Sequence, residues 1–241
     1  TVASTPFMVS IFKHLVAVCL KHKGVPIGGM ATALPSKDKE VNLLASKSIE
    51  ADKTWEANNG FLRAWVAHIY HMKTAAMPFK NLHASGWTPS EEMKKPELYP
   101  LEDINLRPEG KITQEGTRRN IRTIIEYLEG WFNGRGAKGI DSQEGLEGKR
   151  PALMEDLATA RISIGQTCQR VLHESISQDT NKVHDIKLVK DIFADELSNI
   201  LKLRPENSVN YNRAVKLGID WIESYLNLDF KPIAYYDRGK Y

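Results

Sequence analysis

Two short strand-like segments limit what the first hundred residues of this chain can form: residues 25–30, which are predicted to be a buried run, and residues 64–68. One helix is predicted before them, between Pro6 and Gly24, and another between them, at residues 39–57. This is the order of a parallel α/β sheet or barrel. A parallel sheet of two strands cannot cover its own edges or faces. The composition, 41% hydrophobic and 26% charged, is that of an ordered protein, so we expect the missing strands to come from elsewhere.

The second part of the chain has a different pattern. Residues 85–110 contain four prolines, which predict a connecting segment. After Thr113 the chain is predicted to be helical to near its end, because apolar residues recur with the helical period. They form three groups: Ile121, Ile124, Ile125, Leu128, Trp131 and Phe132; Ile186, Val189, Phe193, Leu197 and Ile200; Ala214, Leu217, Trp221, Ile222 and Tyr225. We therefore predict an α/β part at residues 1–100 and an all-helical part at residues 101–241.

Size, charge and cysteine content exclude several classes of protein. A complete eight-stranded barrel takes about 250 residues, so these 241 residues cannot hold one together with a helical domain. The net charge of +3, without a clustered basic face, argues against a nucleic-acid partner. No apolar run is long enough to span a membrane. Cys19 and Cys168 lack metal-ligand spacing and predict free thiols in a reducing compartment.

A series of short blocks follows one another through nearly the whole chain. In the first part they are Thr5-Pro6-Phe7-Met8, Gly28-Gly29-Met30-Ala31, Pro35-Ser36, Glu40-Val41-Asn42, Ala51-Asp52-Lys53, Glu56-Ala57 and Trp65-Val66-Ala67-His68. In the second part they are Pro108-Glu109-Gly110, Ile112-Thr113-Gln114-Glu115-Gly116, Arg118, Asn120-Ile121, Tyr127-Leu128-Glu129, Trp131, Met154-Glu155-Asp156, Ala158-Thr159-Ala160 and Ile162-Ser163. In this order the blocks resemble the malate synthase family.

The resemblance implies a fold and a reaction. The fold would be the C-terminal part of a TIM (β/α)8 barrel followed by a helical plug domain. The reaction would be the condensation of acetyl-CoA with glyoxylate and the hydrolysis of malyl-CoA to malate and CoA, with Mg2+ as the cofactor. By the family motif, Asp156 would be the base that takes a proton from the acetyl group. In the family the magnesium ligands, a glutamate and an aspartate, and the arginine that stabilises the enolate belong to the part before Thr1, so we assign no metal ligand in this chain.

The residue type of Asp156 agrees with this role. The methyl group of a thioester is a very weak carbon acid, so a base must remove its proton while another group stabilises the enolate oxygen. Pro151 and Met154 predict that Asp156 lies in the first turns of a helix, where the dipole favours the ionised form. Glu155 and Asp156 would, on the pair alone, also fit ordinary first-turn acids.

Other candidate residues are predicted to bind substrate. Gly28 and Gly29 either let a substrate approach the backbone at a strand end or form a tight turn, and Met30 follows them. His68, at the end of the second strand, either faces the pocket or makes a structural hydrogen bond. Met154 and Glu155 come from the run that contains Asp156. Trp65, Trp131 and Trp221 are predicted to be core residues.

Some positions depart from the family pattern, and three interpretations of the chain stay open. Ile69 replaces the usual proline, Arg161 stands where a glutamate is common, and residues 141–150 form an insertion. In the first interpretation, the chain is part of an enzyme, and the N-terminal half of the barrel lies on the same or a separate chain. In the second, it is a structural or interaction subunit. In the third, it is a related acyl-CoA lyase. We expect no turnover from these residues alone. We expect a cytoplasmic location, with the peroxisome or glyoxysome and the mitochondrial matrix as alternatives.

Overall fold

The computed structural model describes residues 5–100, 110–141 and 150–241. The chain divides into two compact units. Unit 1 contains residues 1–110 together with 148–152, and unit 2 contains residues 111–147 together with 153–241. Among the described residues, no helix is both long enough and apolar enough to cross a membrane.

Unit 1 has the predicted order of helix, strand, helix and strand. Its first four elements are α1 (Pro6–Lys21), β1 (Ile27–Ala31), α2 (Lys39–Asn58) and β2 (Arg63–Val66). Strands β1 and β2 pair in parallel, with Met30 opposite Trp65 and Ala31 opposite Val66. The small core between this sheet and the helices contains Ala31, Ala33, Ala45, Ile49 and Ala75, with Val66 packed against it.

Unit 1 also contains a helix that the sequence did not predict, α3 (Met72–Ala84). Pro78 lies inside this helix. Proline lacks the N–H that the helical ladder needs and is usually a helix breaker, so its presence argued against a helix here. Short 3-10 turns flank α3 or follow it at Ile69–His71, Glu92–Lys94 and Pro96–Leu98.

The strands of unit 1 are less buried than predicted. Residues 25–30 were expected to form a buried run, but Val25 is 47% exposed and Ile27 is 54% exposed. Trp65, expected in a core, is 56% exposed. Alternation along β2 turns Ala64 and Val66 toward the small core and Trp65 away from it. With two strands in the sheet, only one side of each strand meets the unit's own core.

Unit 2 is mainly helical, with a hairpin between its first two helices. Its elements are α4 (Gln114–Phe132), β3 (Ala137–Ile140), β4 (Leu153–Asp156), α5 (Leu157–Leu172), α6 (Ile186–Leu203) and α7 (Ser208–Leu226), with 3-10 turns at Pro205–Asn207, Ile233–Tyr235 and Arg238–Lys240. The prediction of continuous helix after Thr113 was therefore wrong at β3 and β4, which pair antiparallel. Gly134 has a φ of +78°, which ends α4 and turns the chain into the hairpin. The predicted insertion falls mostly on residues 142–149, which lie outside the described residues.

Helix α4 forms the centre of unit 2. Its residues Ile121, Ile124, Ile125 and Leu128 are completely buried. They belong to a core that also takes in Phe193 of α6 and Ala214, Leu217, Trp221 and Ile222 of α7. The helical periods predicted from the sequence are confirmed in all three helices, and Trp221 is a core residue as predicted, while Trp131 is only partly buried.

Candidate active site

Asp156 lies at the junction of β4 and α5. It is the last residue of β4, pairs with Ala137 of β3, and is the N-cap of α5. The prediction that Asp156 lies in the first turns of a helix was therefore wrong, because it lies immediately before the first turn. Its backbone is extended, with φ −120° and ψ −171°. A residue that ends a strand keeps extended dihedrals, and the N-cap position requires them as well.

The carboxylate of Asp156 is held by the first amides of α5. Its Oδ1 accepts hydrogen bonds from the backbone N–H of Ala158, at 2.9 Å, and of Thr159, at 3.4 Å. Both bonds fall on Oδ1, so Oδ2 has no hydrogen-bond partner in the described part of the chain. The side chain is exposed. The positive end of the helix dipole favours negative charge at this position. The result is an oriented, exposed carboxylate with hydrogen bonds on Oδ1 alone.

The two residues before Asp156 lie along β4. Glu155 pairs with Lys138 of β3 and is half-buried, and Met154 pairs with Gly139. Burial raises the pKa of Glu155, a hydrogen bond with Thr159 lowers it, and the charge of Asp156 raises it again, so that the net direction is upward. Successive side chains of a strand point to opposite faces, so Glu155 and Asp156 face opposite sides of the hairpin.

Tyr127 of α4 is a further residue in the electrostatic environment of Asp156. It is buried, and the sequence marked it only as part of a family block. Burial raises the pKa of its phenol, and the negative charge of Asp156 raises that pKa further. The phenol is therefore protonated at neutral pH. No residue pattern could have identified this electrostatic interaction, because it depends on how α4 packs against the hairpin.

Gly28 and Gly29 form an irregularity in β1, and a buried ion pair from α2 binds the backbone there. The pairing of β1 with β2 shifts register between Ile27 and Met30. Glu56 accepts a hydrogen bond from the N–H of Gly29 at 3.0 Å, and the ammonium of Lys53 donates to the carbonyl of Gly29 at 2.5 Å and to Glu56 at 2.8 Å. Both backbone groups of Gly29 are thus satisfied by side chains of α2, as expected for a residue displaced from the ladder by a bulge.

The requirement for glycine at position 28 follows from the same contact. A Cβ atom on Gly28 would lie 2.0 Å from Oε2 of Glu56, whereas one on Gly29 would lie 3.6 Å from Oε1. Oε2 is buried without a hydrogen-bond partner among the described residues. Burial raises the pKa of Glu56, although its bonds with Lys53 and Gly29 oppose that shift. The contact with Glu56 therefore explains why position 28 is glycine. The substrate contacts of Gly28, Gly29 and Met30 stay predictions.

His68 makes a local hydrogen bond. Its Nδ1 accepts from the N–H of Tyr70 at 3.1 Å and caps the 3-10 turn Ile69–His71. The ring is exposed. His68 follows β2 at the carboxyl end, where the N–H of Ala67 bonds the carbonyl of Ala31 at 3.0 Å, so the residues after β1 and β2 leave the sheet from the same end. That is the end at which parallel α/β proteins place their sites.

The predicted residues fall into two groups. Gly28, Gly29, Met30 and His68 belong to unit 1, and Met154, Glu155 and Asp156 belong to unit 2. Among the described residues, no cluster of three or more His, Cys, Asp or Glu side chains could hold a metal ion.

Family models match almost the whole chain. The model described as "Malate synthase, TIM barrel domain" matches residues 1–97, and the model described as "Malate synthase, C-terminal" matches residues 111–237. These two matches cover unit 1 and unit 2 in turn.

Individual relatives give the same result. Malate synthase A of Escherichia coli is 35% identical over 170 residues, which are 70% of this chain and 30% of the relative. Malate synthase of Dictyostelium discoideum is 31% identical over 234 residues, 94% of this chain and 41% of the relative. The glyoxysomal malate synthase of Candida tropicalis is 33% identical over 207 residues, 83% of this chain and 35% of the relative. The chain thus spans well under half the length of the relatives that it matches.

Proposed function

We propose that this chain, which belongs to the malate synthase family, contributes the general base to the condensation of acetyl-CoA with glyoxylate. The observation that carries the proposal is the exposed carboxylate of Asp156, which two backbone amides orient through Oδ1 and not through Oδ2. An acyltransferase of the malate synthase type needs such a group, because the methyl protons of a thioester do not leave without a positioned base.

The proposed chemistry begins at Oδ2 of Asp156. This oxygen takes a proton from the methyl group of acetyl-CoA, and the C–H electron pair moves to form the enolate. The enolate carbon attacks the aldehyde carbon of glyoxylate, and the resulting alkoxide takes up a proton from solvent to become the hydroxyl of malyl-CoA, while Asp156 releases its proton to solvent. Water then cleaves the thioester to give malate and CoA. The amides of Ala158 and Thr159 hold the carboxylate in place before and after the proton transfer, and so lower the cost of orientation.

The family resemblance also implies Mg2+. The described residues contain no group of three or more His, Cys, Asp or Glu side chains that could hold a metal ion, and we assign no step to the ion. We propose that its ligands, like the arginine that stabilises the enolate, belong to the part of the family's barrel that this chain does not span. Residues 1–100 would supply the last strands and helices of that barrel, and residues 101–241 the helical domain with the base. The exposed faces of β1 and β2 support this assignment, because Ile27 and Trp65 need a further cover.

The remaining assignments rest on the resemblance and on position. Gly28, Gly29, Met30 and His68 at the end of the sheet, with Met154 and Glu155 beside the base, are proposed to contact acetyl-CoA or glyoxylate. The N-terminal half of the barrel, on the same or a separate chain, is the proposed protein partner. We propose a cytoplasmic location; the glyoxysomal relative of Candida tropicalis supports the peroxisome or glyoxysome as the alternative.

The test is CoA release from acetyl-CoA by native material that contains this chain, in the presence of Mg2+ and glyoxylate. Asp156→Asn keeps the shape and the cap but removes the base, so we expect turnover to fall by about 10²–10⁴ with binding of acetyl-CoA retained. Asp185→Asn is the matched control, because Asp185 caps α6 through the N–H of Leu188 in the same unit. Equal rates for wild type and Asp156→Asn would end the assignment of the base.

A further inference from the structure

A lysine is buried beneath the hairpin that ends in Asp156. Lys138 of β3 is 9% exposed, and its ammonium lies 2.6 Å from Oε2 of Glu126 and 2.5 Å from Oε2 of Glu129. It also donates to the hydroxyl of Tyr211 at 3.3 Å. Nothing in the sequence singles out this residue, since lysine is rarely buried unless it is paired. Here it is paired twice, and both carboxylates come from α4.

The surrounding charges fix this arrangement from several sides. Glu126 also contacts Arg204 at 3.2 Å and Arg122 at 3.3 Å, and it accepts a hydrogen bond from Tyr211 at 2.9 Å. Burial alone would lower the pKa of Lys138, but the charge of Glu126 and the hydrogen bonds with both glutamates outweigh it, so the pKa is raised. The lysine is therefore charged at neutral pH. If this ammonium moved, Glu126 would keep its two arginines, but Glu129 would lose its ion pair with Lys138 while buried in the core.

A glycine in α4 leaves room for the side chain of Lys138. A Cβ atom on Gly130 would lie 3.2 Å from Cδ of Lys138 and 3.3 Å from its Cβ, closer than ordinary contact. Gly130 therefore lets β3 approach the helix at the residue that carries the ammonium. Lys138 and Ile140 are the two buried residues of β3. Because a hairpin of two short strands is only marginally stable by itself, its place on α4 depends on such anchors.

The register of the hairpin connects this anchor to Asp156. Lys138 pairs with Glu155, and the next pair along is Ala137 with Asp156. Paired residues of an antiparallel ladder share a face. Lys138 and Glu155 thus share one face, and Asp156 projects from the other. A shift of β3 on α4 would move Asp156, and with it the first turn of α5 that its carboxylate caps.

From this geometry we propose that Lys138 is a positioning residue for Asp156: its ion pairs with Glu126 and Glu129 hold the hairpin on α4 and so set the place from which the carboxylate acts. The inference rests on the proposed function, in which Asp156 is the base. In this role Lys138 does not contact substrate. It acts through the backbone hydrogen bonds that pair β3 with β4.

The test compares Lys138→Met with Lys138→Arg, which keeps the charge, and with Lys187→Met, which removes an exposed ion pair with Asp191 in the same unit. In native material that contains this chain, we expect Lys138→Met to lower kcat about tenfold or more, with KM for acetyl-CoA within about twofold of wild type. Lys138→Arg should retain more of the wild-type kcat than Lys138→Met does. Lys187→Met should leave both kcat and KM unchanged. Loss of kcat together with an equal rise of KM would overturn a positioning role.

Hydrogen exchange gives a second readout that does not depend on activity. In the 241-residue chain, Lys138→Met should speed exchange of the amides of β4 by about tenfold while those in the core of α7 keep their wild-type rates. Parallel acceleration in α7 would show a general loss of stability and overturn the inference. Should Lys138→Met fail to fold, Glu129→Gln, which removes one of the two pairs, takes its place with the same criteria. If Asp156→Asn keeps full turnover, the proposed function fails; if only the Lys138 variants keep it, the positioning role alone fails.

Discussion

Gly28→Ala is expected to destabilise unit 1 strongly, because the added methyl group has no room. The new Cβ would lie 2.0 Å from Oε2 of Glu56 and 2.4 Å from its Cδ. Non-bonded heavy atoms ordinarily lie about 3.5–4.0 Å apart. The carboxylate must therefore move by more than an ångström. In moving, it leaves the N–H of Gly29, at 3.0 Å, and the ammonium of Lys53, at 2.8 Å.

The size of the effect follows from those lost contacts. Overpacking a core costs about 1–3 kcal/mol, and breaking a buried ion pair while its partner stays buried costs about 3–5 kcal/mol. Lys53 is 2% exposed, so it cannot turn to water when Glu56 withdraws. We therefore expect Gly28→Ala to lower the free energy of unfolding of unit 1 by about 3 kcal/mol or more. A role of Gly28 in substrate approach alone would leave that free energy nearly unchanged.

The assay is urea unfolding of the full chain, with hydrogen exchange of the amides of β1 to identify the unit affected. Gly136→Ala is the matched control: a Cβ there meets nothing within 4 Å, so its cost should stay below about 0.5 kcal/mol. A double-mutant cycle isolates the clash. In a Glu56→Ala background, Gly28→Ala should cost little, since the obstructing carboxylate is gone. The same cost in both backgrounds would show that the carboxylate of Glu56 is not what excludes a side chain at position 28.

Three further outcomes are expected. Asp156→Ala should destabilise unit 2 by about 1 kcal/mol and Asp156→Asn by much less, because asparagine caps a helix as well as aspartate does; equal losses in urea unfolding would contradict the cap. Burial raises the pKa of the Cys168 thiol to about 12, so iodoacetamide should label it only on unfolding. Labelling at Cys168 itself in the folded chain, located by mass spectrometry of its peptide and distinguished from the partly buried Cys19, would contradict this. A Cβ on Gly218 would lie 3.0 Å from Cε1 of Phe193, so Gly218→Ala should cost about 1–3 kcal/mol, and an unchanged urea midpoint would contradict it.

The helices of unit 2 could be predicted because their sequence directly reflects one-sided burial. Ile121, Ile124 and Leu128 recur at the spacing that places them on one face of α4, and all are completely buried. The same reasoning identified two strands in unit 1, but it overestimated their burial. Ile27 and Trp65 carry apolar side chains on strand faces that the unit's own core does not reach, and periodicity alone cannot say what covers such a face.

The elements and contacts that were missed depend on residues far apart in the chain. The hairpin of β3 and β4 contains Lys138 and Gly139, which have weak strand propensity, and its pairing is not local. Lys138 and Glu56 look like surface charges in the sequence, yet each is buried with a partner. Asp156 could be named from the family motif, but its N-cap geometry and the hydrogen bonds on its Oδ1 could not, because they depend on where β4 ends and α5 begins.

The most direct test of the account is exchange of the methyl protons of acetyl-CoA with deuterated solvent, in native material that contains this chain and in the presence of a glyoxylate analogue that cannot complete the condensation. Wild type and Asp185→Asn should exchange these protons at the same rate. Asp156→Asn should bind acetyl-CoA and exchange its protons at least about a hundredfold more slowly. Exchange by Asp156→Asn at the wild-type rate would show that this carboxylate does not remove the proton.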